Sequence, residues 1–189
     1  QHFNIAHAGV EVLSMSKRIM NEVICLAENR KYPIYYQDTD SIHIQSDCVP
    51  LLAAAFKKKY GRELIGDDMG QFHTDFDSKI VKGNIRAVET IILAKKCYLD
   101  VLKGDDPDVT DYHIRMKGVP VKSILYYCRQ NNMSVLQLYQ DLYKGQTVEF
   151  DLLCGGNQVS FDFNDDMTIH NRSRFVRQVC FSGKQKGNP

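Results

Sequence analysis

The sequence predicts an α+β protein in which antiparallel strands are backed by helices. A stretch from about Ala8 to Arg30 carries apolar residues at a spacing near 3.6, which is typical of an amphipathic helix. Between Pro33 and Ile44, two short apolar segments flank a tight polar turn, which is typical of a hairpin. The 189 residues, 43% of them hydrophobic, can bury a sizeable core as one domain or two small ones.

The composition excludes several classes of protein. A quarter of the residues are charged, and the apolar content is too high for a disordered chain. The six cysteines are scattered without a C-x-x-C pair, which favours reduced thiols over a zinc site. Neither an apolar run of about 18 residues nor a leader pattern occurs, so no membrane span or signal peptide is predicted. We expect an intracellular protein and, since the chain does not begin with Met, a piece of a longer one.

The net charge of +1 hides a basic end. From His170 to Pro189 there are five Lys or Arg residues and no Asp or Glu. Such a segment can neutralise phosphates, although a solvated terminal segment is the ordinary alternative.

The first helix is predicted to lead directly into the hairpin. Its basic last turn, Asn29 to Lys31, suits the helix dipole, and Pro33 prevents it from continuing. We therefore expect this helix to back the strands of the hairpin.

The hairpin carries two acids at its turn. Asp38 and Asp40 are two residues apart, so both carboxylates can project from the tip, where a cation would offset their charge. Oxygen ligands alone indicate Mg²⁺ or a similar hard ion. Taken alone, the same pattern also fits an ordinary solvated hairpin.

The residues around the two acids are more specific. The segment Y-Q-D-T-D-S resembles the Y-x-D-T-D-S signature of family B DNA polymerases, the palm hairpin that carries catalytic aspartates. The resemblance implies that Asp38 and Asp40 are catalytic and bind Mg²⁺, with Mn²⁺ as an alternative. It gives Asp38 the role of bridging both ions and Asp40 a weaker, indirect role. Tyr36, Thr39 and Ser41 would shape the turn and support the primer end.

A short helix and loops are predicted next. Leu51 to Tyr60 is typical of a helix that is closed by lysines. Two Gly-Asp-Asp triplets, Gly66–Asp68 and Gly104–Asp106, match the catalytic turn of RNA-dependent RNA polymerases, but neither has apolar strands on both sides. We interpret both as ordinary loops.

Ile85 to Leu102 is predicted to form a strand pair that extends the hairpin's sheet. Within it, Lys95-Lys96-Cys97-Tyr98 resembles the K-K-x-Y motif of the same polymerases. Adjacent lysines on a strand would point to opposite faces. The resemblance implies that one of Lys95 and Lys96, together with Tyr98, contacts the primer-template.

The next predicted strand, Tyr112 to Val119, ends at Lys117-Gly118. This dipeptide resembles the K-G element that follows K-K-x-Y in the family, which implies a contact with the primer-template. A lysine beside a glycine lets the backbone approach a phosphate closely, and the alternative is a turn that ends the strand.

The end of the chain is predicted to be small and mixed. Two short helices fit Val121 to Tyr143, with Ser134 as an N-cap, and strands fit Val148–Leu153 and Val159–Phe163. This part resembles the compact thumb of protein-primed polymerases from viruses, linear plasmids and organelles. The resemblance thus implies a partial polymerase palm over residues 1–119, followed by a small mixed α/β thumb over 120–189.

As a whole, the resemblance implies part of a DNA-directed DNA polymerase that extends a primer 3′ end by a two-metal mechanism. Its partners would be a DNA primer-template, deoxynucleoside triphosphates and a terminal priming protein, at a site of viral, plasmid, organellar or nuclear replication. The family's D-x-x-S-L-Y-P-S strand, its K-x-x-x-N-S-x-Y-G helix and its exonuclease motifs do not occur here. We expect the rest of the palm, the fingers and any exonuclease region to lie upstream of Gln1, so this chain would be incomplete by itself.

Two alternatives remain open. A non-catalytic nucleic-acid-binding module could retain the hairpin as a scaffold, in which case DNA affinity would not depend on Asp38, Asp40 or a metal. An RNA-dependent polymerase or reverse transcriptase palm is a weaker alternative, because those enzymes use adjacent aspartates and this turn is D-T-D.

Overall fold

A computed structural model describes residues 5–153, 160–163, 166–167, 169–172 and 175–181, and the α+β class is confirmed in these ranges. They form two compact units, one within residues 1–75 and the other within 76–189. The elements are α1 (Ala6–Asn29), β1 (Ile34–Asp38), β2 (Ser41–Ile44), α2 (Cys48–Tyr60), β3 (Arg86–Ala94), β4 (Cys97–Lys103), β5 (Asp111–Met116), α3 (Val121–Gln130), α4 (Val135–Tyr143), β6 (Thr147–Asp151), β7 (Ser160–Phe163), β8 (Ile169–Arg172) and β9 (Val176–Cys180).

The first unit is built on α1, which confirms the predicted helix. Its buried residues, among them Val23 and Ala27, lie in the C-terminal half and pack with Leu52 and Phe56 of α2. In the N-terminal half, apolar side chains such as Val12 remain exposed in the described part of the chain. The apolar period therefore predicts the helix correctly, but only half of the predicted apolar face enters the core.

Helix α2 begins at Cys48, three residues before its predicted start. Pro50 lies in its first turn, where the missing N–H would have no partner within the helix, so proline is tolerated there. The lysine-rich last turn is confirmed. Gly61, with φ of 68°, ends the helix in the left-handed conformation and donates its amide to the Lys57 carbonyl.

The predicted hairpin is confirmed, but it does not extend into a larger sheet. β1 and β2 pair antiparallel, with Asp38 opposite Ser41, and form a two-stranded sheet of their own. The described strands β3, β4 and β5 form a separate sheet in the second unit. The predicted continuity was therefore wrong, because strand propensity reports which residues are extended and not which strands pair.

The second unit is built on the antiparallel sheet β3–β4–β5, with β4 in the centre. β4 is almost entirely buried, and α3 and α4 cover the sheet with residues such as Ile124, Leu138 and Tyr139. The side chain of Ser134 accepts the Gln137 amide and caps α4, as predicted. β6 and β9 form a two-stranded ribbon that adds Val148 and Phe150 to this core.

The two lysines of the K-K-x-Y motif do not lie on a strand, which corrects the prediction. Ala94 is paired with Cys97, so Lys95 and Lys96 form the two-residue turn between β3 and β4. Lys96 has φ of 61°, a left-handed conformation that a strand residue does not adopt. The expectation that the two lysine side chains point to opposite faces of a strand was therefore wrong.

Both Gly-Asp-Asp triplets lie in loops, as predicted. In the second triplet, Asp105 is tied to a neighbouring loop, because its amide donates to the Lys82 carbonyl at 3.1 Å and its Oδ1 accepts the Asn84 amide at 3.3 Å. A carboxylate that holds two loops together in this way has a sufficient structural role.

The end of the chain agrees in part with the prediction. β6 and β7 correspond to the predicted strands. The Gly-Gly-Asn segment between them, residues 155–157, lies outside the described residues, as do 173–174 and 182–189 of the basic segment. The described part of that segment contains β9, which was not predicted. The two compact units divide between residues 75 and 76. The assignment of residues 1–119 to a palm and of 120–189 to a thumb stays a prediction. None of the described helices is long and apolar enough to cross a membrane.

Candidate functional site

The tip of the hairpin is a tight turn held by its own hydroxyl groups. The Asp40 amide donates to the Asp38 carbonyl at 2.6 Å, and the Ser41 hydroxyl donates to the same carbonyl at 3.1 Å. The Thr39 hydroxyl donates to Oδ1 of Asp38 at 3.1 Å. The D-T-D-S sequence thus uses its Thr and Ser side chains to fix the backbone and one carboxylate.

Thr39 has an unusual backbone conformation for its residue type. Its φ is 47°, and a β-branched residue at positive φ is an outlier, because Cβ crowds the backbone. Glycine or asparagine would adopt this turn at lower cost. Strain of this kind, on the order of 1–3 kcal/mol, persists where the surroundings impose it, and it is concentrated at functional sites.

The strand below the turn orients Asp38. Ile34, Tyr36 and Asp38 alternate along β1 and are half-buried, whereas the residues between them are exposed. Tyr36 lies opposite His43 on β2, and their rings meet edge to face with centroids 5.4 Å apart. Asp38 therefore projects from the supported face of the hairpin, while Asp40 is exposed at its tip.

The two aspartates fit part of a magnesium site. Their ligand atoms are carboxylate oxygens, which Mg²⁺ prefers, and a bound Mg²⁺ keeps several water ligands beside one or two carboxylates. Within the described ranges, no group of three or more His, Cys, Asp and Glu side chains is placed to hold a metal ion. The hairpin thus offers two carboxylates, and a two-metal site would need a further carboxylate from elsewhere.

The two lysine motifs of the second unit lie side by side. The last pair of the β4–β5 ladder is Cys97 with Met116, and just beyond it the Lys117 amide donates to the Lys96 carbonyl at 3.0 Å. Lys95 and Lys117 are exposed, and Lys96 is half-buried. Motifs separated in sequence by all of β4 and β5 are therefore joined by a backbone hydrogen bond at one end of the sheet.

Tyr98, the fourth residue of the K-K-x-Y motif, is buried in β4. It pairs with Arg115 on β5, and its ring lies 5.9 Å from the ring of His113. Its position suits a residue that supports the sheet beneath the lysines more than one that contacts a ligand from the surface.

Gly118 has a neighbour that the sequence did not indicate. Its φ is 82°, and a Cβ built on it would lie 2.7 Å from Cζ of Arg177 and closer still to Nη1. The guanidinium of β9 therefore lies directly over the K-G dipeptide. No local pattern links these two residues, because the contact depends on the pairing of β6 with β9.

A polar cluster around one buried acid lies in the middle of the same sheet. The Asp100 side chain is fully buried, its Oδ1 accepts the Thr90 hydroxyl at 2.7 Å, and its Oδ2 lies 2.9 Å from Nδ1 of His113. The three residues are cross-strand neighbours on β3, β4 and β5. In the sequence, this cluster is indicated only by an acid within the apolar run Cys97–Leu102. The hydrogen bonds of its carboxylate explain how the acid can be buried.

In the first unit, Arg18 has a structural role. Its Nε donates to Glu22 at 2.9 Å, and Arg62 from the loop after α2 binds the same carboxylate. Burial raises the pKa of Glu22, but the hydrogen bonds and charges of the two arginines outweigh it, so the pKa lies below its ordinary value. The two arginines thus link α1 to the loop after α2 through one carboxylate.

Comparisons of the chain with protein-family models, with curated proteins and with solved structures found no match.

Proposed function

We propose that this chain is part of a DNA-directed DNA polymerase and carries one half of its catalytic centre. The observation that supports this most directly is the hairpin tip, where D-T-D-S forms a strained turn that presents two carboxylates. An ordinary solvated hairpin would not need a threonine at positive φ, since glycine or asparagine fits such a turn. The agreement between the specific motif and the strained geometry favours a catalytic turn over a solvated one.

In this proposal Asp38 is the principal metal ligand and Asp40 a weaker one. Two Mg²⁺ ions would supply charge stabilisation to the attacking and leaving oxygens of nucleotidyl transfer. The Thr39 hydroxyl orients the Asp38 carboxylate, and Ser41 holds the backbone of the turn. Tyr36 supports Asp38 from below through its contact with His43. The family, the reaction and the assignments to palm and thumb all belong to the proposal.

The proposal assigns the primer-template to the lysine end of the second unit. Lys95 and Lys117 are exposed, and the backbone hydrogen bond between Lys96 and Lys117 brings the two motifs together. Exposed lysines on a rigid sheet end are suited to phosphate contacts, which position a duplex without reading its sequence. Tyr98 would support this surface from within the sheet, where its side chain is buried.

The test of the proposal compares this chain alone with a longer chain that also contains the upstream part of the reading frame. The 189 residues alone are expected to bind Mg²⁺ weakly and to incorporate no nucleotide on a primed DNA template, because the hairpin supplies only two ligands. The longer chain is expected to extend the primer. Primer extension by the 189 residues alone would contradict the proposed half-site.

The lysine surface can be tested without any catalysis. Lys117→Gln is expected to weaken binding of a recessed DNA duplex and to reduce the slope of log K against log salt by ~0.9, because one phosphate contact is lost. Lys96→Ala is expected to change the slope in the same direction. Fluorescence anisotropy of a labelled duplex across a salt series measures both quantities.

Lys58→Gln is the matched control, because Lys58 is an exposed lysine in the last turn of α2 in the other unit. Its substitution removes the same charge and is expected to leave the slope unchanged. Equal slopes for the wild type and Lys117→Gln would remove the K-G element from the proposed interface.

The observation that favours a second candidate function is that both lysine motifs lie together in this chain, whereas the hairpin provides only two carboxylates. A non-catalytic nucleic-acid-binding module would use the surface alone. In that case the longer chain would bind DNA, would not extend a primer, and would show the same affinity with Mg²⁺ as with a chelator.

A further inference from the structure

Arg177 is on the inner face of the β6–β9 ribbon. It lies directly opposite Phe150, and Val179 lies opposite Val148. Residues opposite each other in an antiparallel pair share a face, and Val148, Phe150 and Val179 are all buried in the core. Arg177 is nevertheless exposed, because the core ends there and its side chain reaches out over Gly118.

The glycine at position 118 makes this position of Arg177 sterically feasible. The Val119 amide donates to the Met116 carbonyl at 3.0 Å and closes a tight turn after β5, with Gly118 at positive φ. Any Cβ at residue 118 would occupy the space of the guanidinium. The flat cation is therefore seated against the backbone of Gly118, the residue that follows Lys117 in the chain.

Three of the cations at this end of the sheet form no ion pair within the described part of the chain. No described carboxylate forms an ion pair with Lys95, Lys117 or Arg177. The two acids of β6, Glu149 and Asp151, flank Phe150 in sequence. They therefore lie on the face of the ribbon opposite to that of Phe150 and Arg177. A guanidinium in such surroundings is suited to bind a phosphate through two parallel hydrogen bonds.

We propose that Arg177 and Lys117 bind one phosphate of a nucleic-acid backbone at Gly118, so that β9 is part of the DNA-binding surface. This extends the proposed primer-template site, which uses the two lysine motifs alone, and it rests on the proposed function only in taking a nucleic acid as the ligand. The guanidinium supplies the bidentate contact, and Lys117 supplies a second positive charge. Gly118 leaves the space that the guanidinium occupies, which a larger residue would fill.

The experiment uses the full 189-residue chain and a labelled DNA duplex with a recessed 3′ end. Arg177→Gln is expected to lower the affinity about tenfold and to reduce the salt slope by ~0.9. Arg177→Lys keeps the charge but loses the two parallel hydrogen-bond donors of the guanidinium. The salt slope is therefore expected to remain unchanged, and the affinity to fall about threefold. The control is Arg129→Gln, an exposed arginine in the last turn of α3, which is expected to change neither quantity.

Gly118→Ala is a second, independent variant. The added Cβ would displace the guanidinium, so this variant is expected to bind DNA as weakly as Arg177→Gln. Combining both substitutions is expected to cause no further loss, because both remove the same contact. Because the substitution is made at positive φ, hydrogen exchange in β4 and β5 checks that the sheet is intact.

The outcomes separate this inference from the proposed function. Loss of affinity in Lys117→Gln with wild-type behaviour of Arg177→Gln would overturn the role of Arg177 and leave the lysine surface in place. Loss in both variants, with no primer extension by the longer chain, would support the phosphate site and contradict the polymerase. If Arg177→Gln lost binding of dATP but bound the duplex normally, the ligand would be a free triphosphate and the inference would be overturned.

Discussion

Replacing Asp38 by alanine is expected to abolish nucleotide incorporation in a chain that includes the upstream region. Asp38 is the half-buried carboxylate at the end of β1, oriented by the Thr39 hydroxyl, and it is proposed to be the principal metal ligand. Loss of such a ligand is expected to lower the rate on the order of 10³-fold or more, which corresponds to about 4 kcal/mol of transition-state stabilisation. Single-turnover primer extension measures this rate, and anisotropy measures the affinity for the primed template, which is expected to stay within about twofold.

Two further variants sharpen the result. Asp40→Ala is expected to lower the rate less than Asp38→Ala, because Asp40 is exposed at the tip and has the weaker role. Asp67→Ala is the matched control, since it removes an exposed carboxylate from a Gly-Asp-Asp loop of the same unit. Full activity in Asp38→Ala would contradict its assignment as a metal ligand. Loss of activity in Asp67→Ala would indicate that the Gly66–Asp68 triplet is the catalytic turn.

Replacing Asp100 by alanine is expected to destabilise the second unit by about 3 kcal/mol. The substitution removes the fully buried acceptor of the Thr90 hydroxyl and of His113 Nδ1, and opens a small cavity between them. Amide hydrogen exchange in β4 and β5 is the suitable measurement, because it reports on this unit without assuming that both units unfold together. The opening constants are expected to rise on the order of a hundredfold.

Glu89→Ala is the control for Asp100, since Glu89 is an exposed carboxylate on the neighbouring strand β3. It is expected to change the free energy of unfolding by less than about 0.5 kcal/mol. Thr90→Val is expected to cost about 1 kcal/mol, because it removes one hydrogen bond and leaves the other. An Asp100→Ala variant as stable as Glu89→Ala would mean that the buried network contributes no net stability.

The local elements were predictable because their signals are local. The apolar period predicts α1, and strand residues on both sides of a polar turn predict β1 and β2. The predicted start of α2, Leu51, is three residues late, because Pro50 lies in the first turn of the helix, where proline is accepted. The placement of Lys95 and Lys96 was wrong because their turn contains none of the residues, such as Gly or Asn, that usually mark one.

The candidate site was predictable only where one motif carries it. Asp38 and Asp40 are close because they share a turn, so a sequence pattern can identify them together. The contact between Arg177 and Gly118 depends on the pairing of β6 with β9 and on the packing of that ribbon, which no local pattern encodes. Local patterns likewise do not encode which strands pair, so the expectation that the hairpin joins a larger sheet was wrong.

The conformation of Thr39 also bears on any effort to engineer this protein for thermal stability. On backbone grounds alone, position 39 would be among the first choices, because glycine or asparagine relieves the positive φ and gains up to about 1 kcal/mol. The same replacement would remove the hydroxyl that orients Asp38. Selection for heat resistance and selection for function would therefore favour different residues at position 39, and a stabilised variant is best made elsewhere in the chain.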